Sequence, residues 1–431
     1  MMQLKFGTGG ALRRVQLGNA LSAFGSGFTL PYMFIYVDQV RGQGSLAATM
    51  VFTLFALAAL AVLPFAGRSI DRYGPRPVLL SGCAMAAVGA FAFGQAQSTA
   101  GLLLSVFLFG GGVTTCQPAL ATMIVRSSTA ATRSHAFALQ FTLVNLGMGI
   151  GALVGGQIVD VAEPASLTRL FTIEALTYLG LALVTGTAKL LDERGAGPGP
   201  VPVTDDRQPS GLRTLAGDKA MLNLLVLAAL IFFTCYGQYE SGVAAFATTT
   251  VHTAPSTLGL AIGANAVTIV VLQMMMVRIT AKRRRTTAMA ATGVVWLGAW
   301  GMALLAGLIR GEAALATAAI VSIYVLFGIG ESMLAPTLGP IVADLAPTRL
   351  LGTYNSAFSL VKQTATAVGP AFGVLLVGSG TWPLYLAAMA GSTLLIIVMA
   401  LRLRGHLTPA QDNAERPAPV TVPVRELQTA A

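Results

Sequence analysis

Twelve stretches of this chain are each long and apolar enough to cross a lipid bilayer, and no other feature restricts its folding as severely. About 20 mostly apolar residues in helical form span the ~30 Å hydrocarbon layer. Such runs cover roughly residues 16–36, 45–65, 78–96, 101–124, 135–160 and 167–188, and then 220–247, 256–277, 286–309, 313–342, 353–378 and 382–401. In lipid the backbone must satisfy its own hydrogen bonds, which leaves helices or closed barrels. Barrel strands would show alternating segments of ~10 residues, and the runs here are continuous, so an all-α integral membrane protein of twelve spans is expected. Hydrophobic residues make up 55% of the 431 and charged residues 10%, against about a quarter charged in a soluble domain. Such a chain cannot clothe a water-facing surface, which excludes a cytosolic enzyme, a disordered scaffold and a secreted disulfide module. The stretch 16–36, preceded by Lys5, Arg13 and Arg14, is too long for a secretory signal core and reads as a retained first helix.

The one internal region rich in proline, glycine and charge is 189–219. It reads as a linker, dividing a six-helix bundle at 1–188 from a second at 220–404. The polar, proline-bearing tail at 405–431 is expected to be disordered. A net charge of +10 would suit nucleic acid, but its placement argues otherwise. Of the 27 basic residues, Arg41, Arg169 and Arg310 fall in loops opposite the N-terminus and Lys362 lies inside a span; the remainder sit on the N-terminal side. Positive charge marks the cytoplasmic side, so both termini are expected there, and no nucleic acid partner is needed. Cys83, Cys116 and Cys235 fall in separate apolar runs without a CxxC spacing, and His135, His252 and His406 are scattered. The thiols read as small buried hydrophobes, and no metal site is expected.

The two halves repeat each other. Leu108-Phe109-Gly110-Gly111-Gly112 returns as Leu326-Phe327-Gly328-Ile329-Gly330, and Pro118-Ala119-Leu120 as Pro336-Thr337-Leu338. Further on, Gly151 and Gly155 match Gly369 and Gly373, all at one offset of 218 residues. The offset holds without gaps from an even-numbered span through a basic turn into an odd-numbered one. The copies therefore share one orientation, and internal repeats of this kind characterise transporters. Two pseudo-symmetric bundles joined by a linker can rock about a site between them.

Between the second and third spans the chain reads Gly67-Arg68-Ser69-Ile70-Asp71-Arg72-Tyr73-Gly74-Pro75-Arg76. This resembles the G-x-x-x-D-R-x-G-R-R/K signature of the major facilitator superfamily, at the place where that family carries it. Gly67 suits close helix approach, Gly74 a tight turn, and Asp71 a helix N-terminus or a basic partner. The resemblance implies that Gly67, Asp71, Arg72, Gly74 and Arg76 form a gating motif that latches the cytoplasmic side while the outer side is open. Pro75 departs from the pattern at a usually basic position. The equivalent second-half loop, Arg278 to Arg285, keeps the charge without the aspartate and glycines. In the fifth span, Gly147, Gly151, Gly155 and Gly156 resemble the G-x-x-x-G-P-x-x-G-G pattern associated with exporters of the family, with Ala152 in the proline position; Gly369-Pro370 in the eleventh span keeps a Gly-Pro. Small residues at these spacings also serve helix packing in general. The arginine that many proton-driven exporters of the family carry in the fourth span is missing: Val106 stands four residues before Gly110.

A charge at mid-membrane costs about 2.5–3.5 kcal/mol on insertion scales, so each such residue is a candidate for function. Glu174, Glu240, Glu331 and Lys362 lie well inside spans, whereas Asp38 and Asp160 lie near outer ends. The family lines its cavity with spans one, four, seven and ten. On the first, Phe24, Phe28 and Tyr32 form a stripe; on the seventh, Phe232, Tyr236 and Glu240; on the tenth, Tyr324, Gly328 and Glu331. With Tyr239, Gln117 and Lys362 the aromatic members are the expected substrate contacts, and Glu240 and Glu331 the expected proton carriers. Lys362 could snorkel inwards, pair with Glu331 or neutralise an anionic substrate. Glu174, on a usually peripheral span, reads as structural.

These features imply a secondary transporter of the drug:proton antiporter type. It would export a small amphipathic or lipophilic molecule by alternating access, as a monomer in a bacterial inner membrane, with the proton gradient as energy source and no cofactor. Proton-coupled import of a metabolite, sugar or organic anion is the alternative within transport. A polytopic membrane enzyme would need convergent acid, base or nucleophile groups. The spans offer no paired acids on one helix, and the chain has no GxxxxGK[ST] motif for ATP.

Overall fold

The computed structural model describes residues 10–29, 32–33, 36–158, 163–186, 211–239, 241–253 and 255–413, and all regular elements among them are helical. The first half contributes α1 (Gly10–Thr29), α2 (Gly44–Tyr73), α3 (Pro75–Gln95), α4 (Thr99–Arg126), α5 (Ala130–Ile158) and α6 (Pro164–Gly186). The second contributes α7 (Lys219–Thr250), α8 (Pro255–Ala281), α9 (Arg285–Leu308), α10 (Ala313–Leu345), α11 (Leu351–Gly378) and α12 (Trp382–Leu403). Eleven of these, α2 to α12, are long and apolar enough to cross a membrane. The twelfth, α1, is 20 residues long and more polar, carrying Arg13, Arg14, Gln16 and Asn19 in its first half.

Each half builds its own core. One gathers residues from Leu12 to Leu181, the other from Leu215 to Leu403. In the first, α1 packs on α5 and α6, α4 on α2 and α3, and α3 on α6. Six helices later, α7 packs on α11 and α12, α10 on α8 and α9, and α9 on α12. The contact scheme therefore repeats with the sequence. The bundles meet along two seams, α2 with α11 and α5 with α8, and the same six-helix exchange converts one seam into the other.

Two long helices are interrupted. α7 loosens into wider π-type turns at Phe232–Tyr236 and Phe246–Thr250. α10 breaks between Leu334 and Leu338, where Pro336 lacks the N–H that would reach the Ser332 carbonyl. The Gln273 amide of α8 donates to that carbonyl instead, at 3.1 Å. An unpaired carbonyl in lipid would be expensive, so the side chain makes the break tolerable.

Two boundaries differ from the sequence reading. Residues 187–210 and 414–431 lie outside the described residues, but the segments bordering the second bundle are ordered. Within the expected linker, Gly211–Gly217 is a short helix whose Leu215 enters the second core, and Asp218 caps α7 by accepting from the Met221 N–H at 3.0 Å. Within the expected disordered tail, Thr408 and Gln411 form a reciprocal capping box for the helix Pro409–Asp412. Asp412, 3% exposed, accepts from the Thr286 N–H and hydroxyl at the start of α9. A polar, proline-bearing stretch is what a capping segment also looks like, so composition alone misplaced both edges.

Candidate functional site: the seam and the space between the bundles

The turn after α2 sets the seam. Gly74 has φ +86°, open to glycine and strained for other residues, and Pro75 begins α3 directly after it. Two turns of helix earlier, Gly67 meets α11: a Cβ there would stand 2.9 Å from that of Ser356 and 3.0 Å from the Gly352 carbonyl. This close crossing brings Asp71 to the first turn of α11. Its carboxylate accepts from the Gly352 N–H at 2.6 Å, the Thr353 N–H at 2.9 Å and the Thr353 hydroxyl. A helix start has orphan N–H groups and partial positive charge, so a carboxylate there both caps it and complements its dipole. Arg126, at the end of α4, adds its charge nearby. Arg72 lies over the ring of Tyr73, 5.2 Å from its centroid, and Arg76 is half-buried beside the turn.

The other seam holds an ion cluster that the sequence reading missed. Asp344, at the end of α10, pairs with Arg133 of α5, across the bundles, and with Arg285 of α9 at 2.6 Å. Arg285 also donates to the Gln411 carbonyl at 2.9 Å and comes within 3.5 Å of the Ser134 hydroxyl. A signal was present: Arg126 and Asp344 share the repeat offset of 218, a charged pair at one place in both halves. Between the seams Val125, Ala343 and Leu351 form an apolar plug, and Asn355 reaches Thr122 at 3.4 Å. Hydrogen bonds between the bundles thus gather at the end that carries the basic turns, and that end is shut.

Glycines fix the helices beside the central space. Gly147 and Gly151 face the α1 backbone around Ala20 and Phe24, and Gly155 faces Phe28 and Tyr32. In the second bundle Gly369 lies against Gly237, with Gly373 against Gly242, so α7 and α11 touch backbone to backbone. Pro370 is accommodated inside α11. The surroundings of Gly156, in the same helix α5, lie outside the described residues.

The expected contact residues do not form one wall. Phe24 is half-buried, edge-on to a buried Phe28 at 4.7 Å, and Tyr32 is half-buried. Gln117 is exposed on α4, a helix otherwise largely enclosed from Ser105 to Val125. Phe232 and Tyr236 pack ring to ring at 5.0 Å, and the Lys362 ammonium lies 5.5 Å from the Phe232 centroid. Tyr324, in contrast, is fully buried in the second core. Its hydroxyl donates to the Tyr239 carbonyl at 2.8 Å and its ring meets that of Tyr239 at 4.8 Å. Tyr324 is thus a packing residue in this state and lines no open space.

Glu331 is 5% exposed and faces α8, accepting from the Asn265 amide at 3.1 Å, with the Tyr236 hydroxyl also within hydrogen-bonding reach. Among the described residues no cation pairs with it, and Lys362 is not its partner. Glu240 lies outside the described residues. Glu174 is wholly buried and packs on α1, accepting from Ser26 at 3.0 Å and from the Thr29 hydroxyl. Each bundle therefore holds a buried carboxylate served by neutral donors. Groups of three or more residues that could hold a metal are absent among the described residues.

The profile of the Major Facilitator Superfamily matches residues 16–362 and 241–430. The MFS-type transporter YhjO of Bacillus subtilis is 24% identical over 366 residues, covering 84% of this chain and 85% of that protein. Multidrug resistance protein 1 of the same species is 28% identical over 34% of this chain and 38% of its own length. The quinolone resistance protein NorA of Staphylococcus aureus is 24% identical over 32% and 36%. Among solved structures, a bacterial homologue of the iron transporter ferroportin in an outward-facing state superposes with a TM-score of 0.76 at 14% identity, covering 92% of this chain and 99% of that one. The human organic anion transporter MFSD10 gives 0.71 at 15%, covering 91% and 99%. These two likenesses establish the fold alone. With a family match that reaches from one bundle through the other, the chain belongs to the major facilitator superfamily and is a membrane transporter, not an enzyme.

Proposed function

We propose that the chain is a monomeric proton antiporter that exports a small amphipathic or lipophilic organic molecule across a bacterial cytoplasmic membrane, with both termini in the cytoplasm. The carrying observation is Glu331. It is a carboxylate deep in α10, held by the neutral donors Asn265 and Tyr236, with no cation paired to it among the described residues. Such a group can take up or release a proton without an ion pair having to break. Each charge crossing 100 mV gains about 2.3 kcal/mol, enough to bias a rocking equilibrium more than tenfold. Glu240 is the second carrier in this reading.

The basic turns support a cytoplasmic placement of the shut end. The latched seams and the plug of Val125, Ala343 and Leu351 then correspond to the state that loads protons from outside. Export is supported by the relatives named for multidrug and quinolone resistance and by the glycine-lined contact of α5 with α1. The test is transport in sealed vesicles with an imposed pH gradient. Glu331→Gln should abolish the response to the gradient while leaving substrate exchange at zero gradient intact. An unchanged gradient response would remove Glu331 as a carrier, and a gradient response of opposite sign would replace export by import.

A further inference from the structure

Lys362 sits where a charge is least expected. It lies eleven residues beyond Leu351, the first residue of α11, or about 16 Å along the helix at ~1.5 Å per residue. Its four-carbon stem covers only part of the way back to the basic end. The face it occupies is settled by helical spacing. Lys362 shares a stripe with Tyr354, Phe358, Ala365, Gly369 and Gly373, the stripe that packs on α7 and the second core. The exposed apolar residues Val368 and Leu375 lie more than about 100° round the helix from Lys362, on a face turned away from it. Lys362 is nevertheless exposed. An exposed residue on the inner face opens onto the space between the bundles, not onto lipid.

Among the described residues this cation has no counter-charge. Its one described contact is the face of Phe232, a cation–π interaction. No carboxylate pairs with it among the described residues, and Glu331 is engaged by Asn265 of α8. One helical turn further on, the Thr366 hydroxyl has no hydrogen-bond partner. Phe232 also meets Tyr236 at 5.0 Å and Phe358 at 5.9 Å. An ammonium, a spare hydroxyl donor and a cluster of three rings therefore converge at mid-membrane.

We propose that this is the substrate subsite and that the substrate is an amphipathic organic anion. Its carboxylate or sulfonate binds Lys362 and Thr366, and its flat apolar part stacks among Phe232, Tyr236 and Phe358. The inference rests on the transport reading above and narrows its substrate class. A charge-assisted hydrogen bond is roughly twice as strong as a neutral one, and a cationic drug would meet repulsion from Lys362 instead.

The test is direct binding to the purified full-length protein in lipid nanodiscs, without any gradient. Three probes share one skeleton: naphthoate, naphthamide and naphthylmethylammonium. The wild type should prefer the carboxylate. Lys362→Gln should weaken naphthoate about tenfold or more and leave the amide unchanged, while Lys362→Arg keeps the preference. Preference of the wild type for the ammonium, equal affinity for all three probes, binding of none, or a naphthoate affinity indifferent to Lys362→Gln would each overturn the proposal. The wild-type charge series stands even if a variant fails to fold. Because no pH gradient enters, failure of proton coupling shows only in the vesicle assay and failure of anion recognition only here.

Discussion

Arg126 and Asp344 hold the same position in the two halves, at the ends of α4 and α10, and carry opposite charges. Arg126 acts on the acid Asp71 in the last turn of α2, whereas Asp344 bonds the base Arg285 at the start of α9. The repeat has kept the pairing and exchanged its poles. Each pair also reaches the partner bundle at equivalent places, Asp71 at Gly352 and Arg285 at Ser134, again 218 residues apart. The motif legible in the first half thus has a counterpart in the second that the same consensus does not describe.

Asp71→Asn should loosen the first seam, because an amide caps a helix start without a full charge. Loss of a cap interaction costs about 0.5–2 kcal/mol, a two- to thirty-fold shift in the population of the shut state. Ser356→Cys, placed where α2 crosses α11, reports it: a thiol-reactive reagent should label the double variant faster than Ser356→Cys alone. Equal rates would show that Asp71 does not hold the seam.

Asp344→Asn should loosen the second seam, and Arg133→Gln should add little once Asp344 is gone. Groups sharing one ion cluster couple by about 0.5–3 kcal/mol. A thermal-unfolding cycle of the two single variants and the double variant measures that coupling, and strict additivity would mean that Arg133 and Asp344 do not cooperate.

Gly369→Val should destabilise the second bundle. The Cβ would press on the Gly237 backbone, and overpacking of a close contact costs about 1–3 kcal/mol. The matching change Gly378→Val, where a Cβ meets nothing within 4 Å, is the control. Detergent-solubilised melting should separate the two.

Glu174→Gln should melt between the parent and Glu174→Leu, since Ser26 and Thr29 donate to different carboxylate oxygens and a single amide oxygen replaces only one of them. Glu174→Leu leaves both hydroxyls without their acceptor and should cost about 1–3 kcal/mol. Equal melting of the two variants would show that the Glu174 bonds to α1 contribute nothing.

The spans, their repeat and the gathering of basic turns at one end were legible because lipid imposes a coarse, lengthwise constraint on every residue in a run. The site was legible only in part. An i, i+4 stripe fixes which residues share a helix face, but not what that face abuts. Tyr324 and Glu331 were grouped by spacing, yet Tyr324 is sealed in the core and Glu331 turns towards Asn265. Glu174 was read from the usual position of its helix, and its bonds to Ser26 and Thr29 depend on how α6 lies on α1. Where Lys362 opens could not be decided from α11 alone, because it needs the opposite, lipid-facing stripe and the ring of Phe232 together.

The contrast between glycine-on-glycine contact within a bundle and capped polar contact between bundles has a mechanical outcome. With Gly237 pressed on Gly369 and Gly151 on the α1 backbone, neighbouring helices within a bundle have little room to slide, so in the proposed transport cycle each bundle should turn as a stiff body. The energy governing which way the vestibule faces is then concentrated in a few side chains at the first turns of α5 and α11. Random mutagenesis selected for altered directionality should return its hits there, in a narrow belt, rather than along the lengths of the helices.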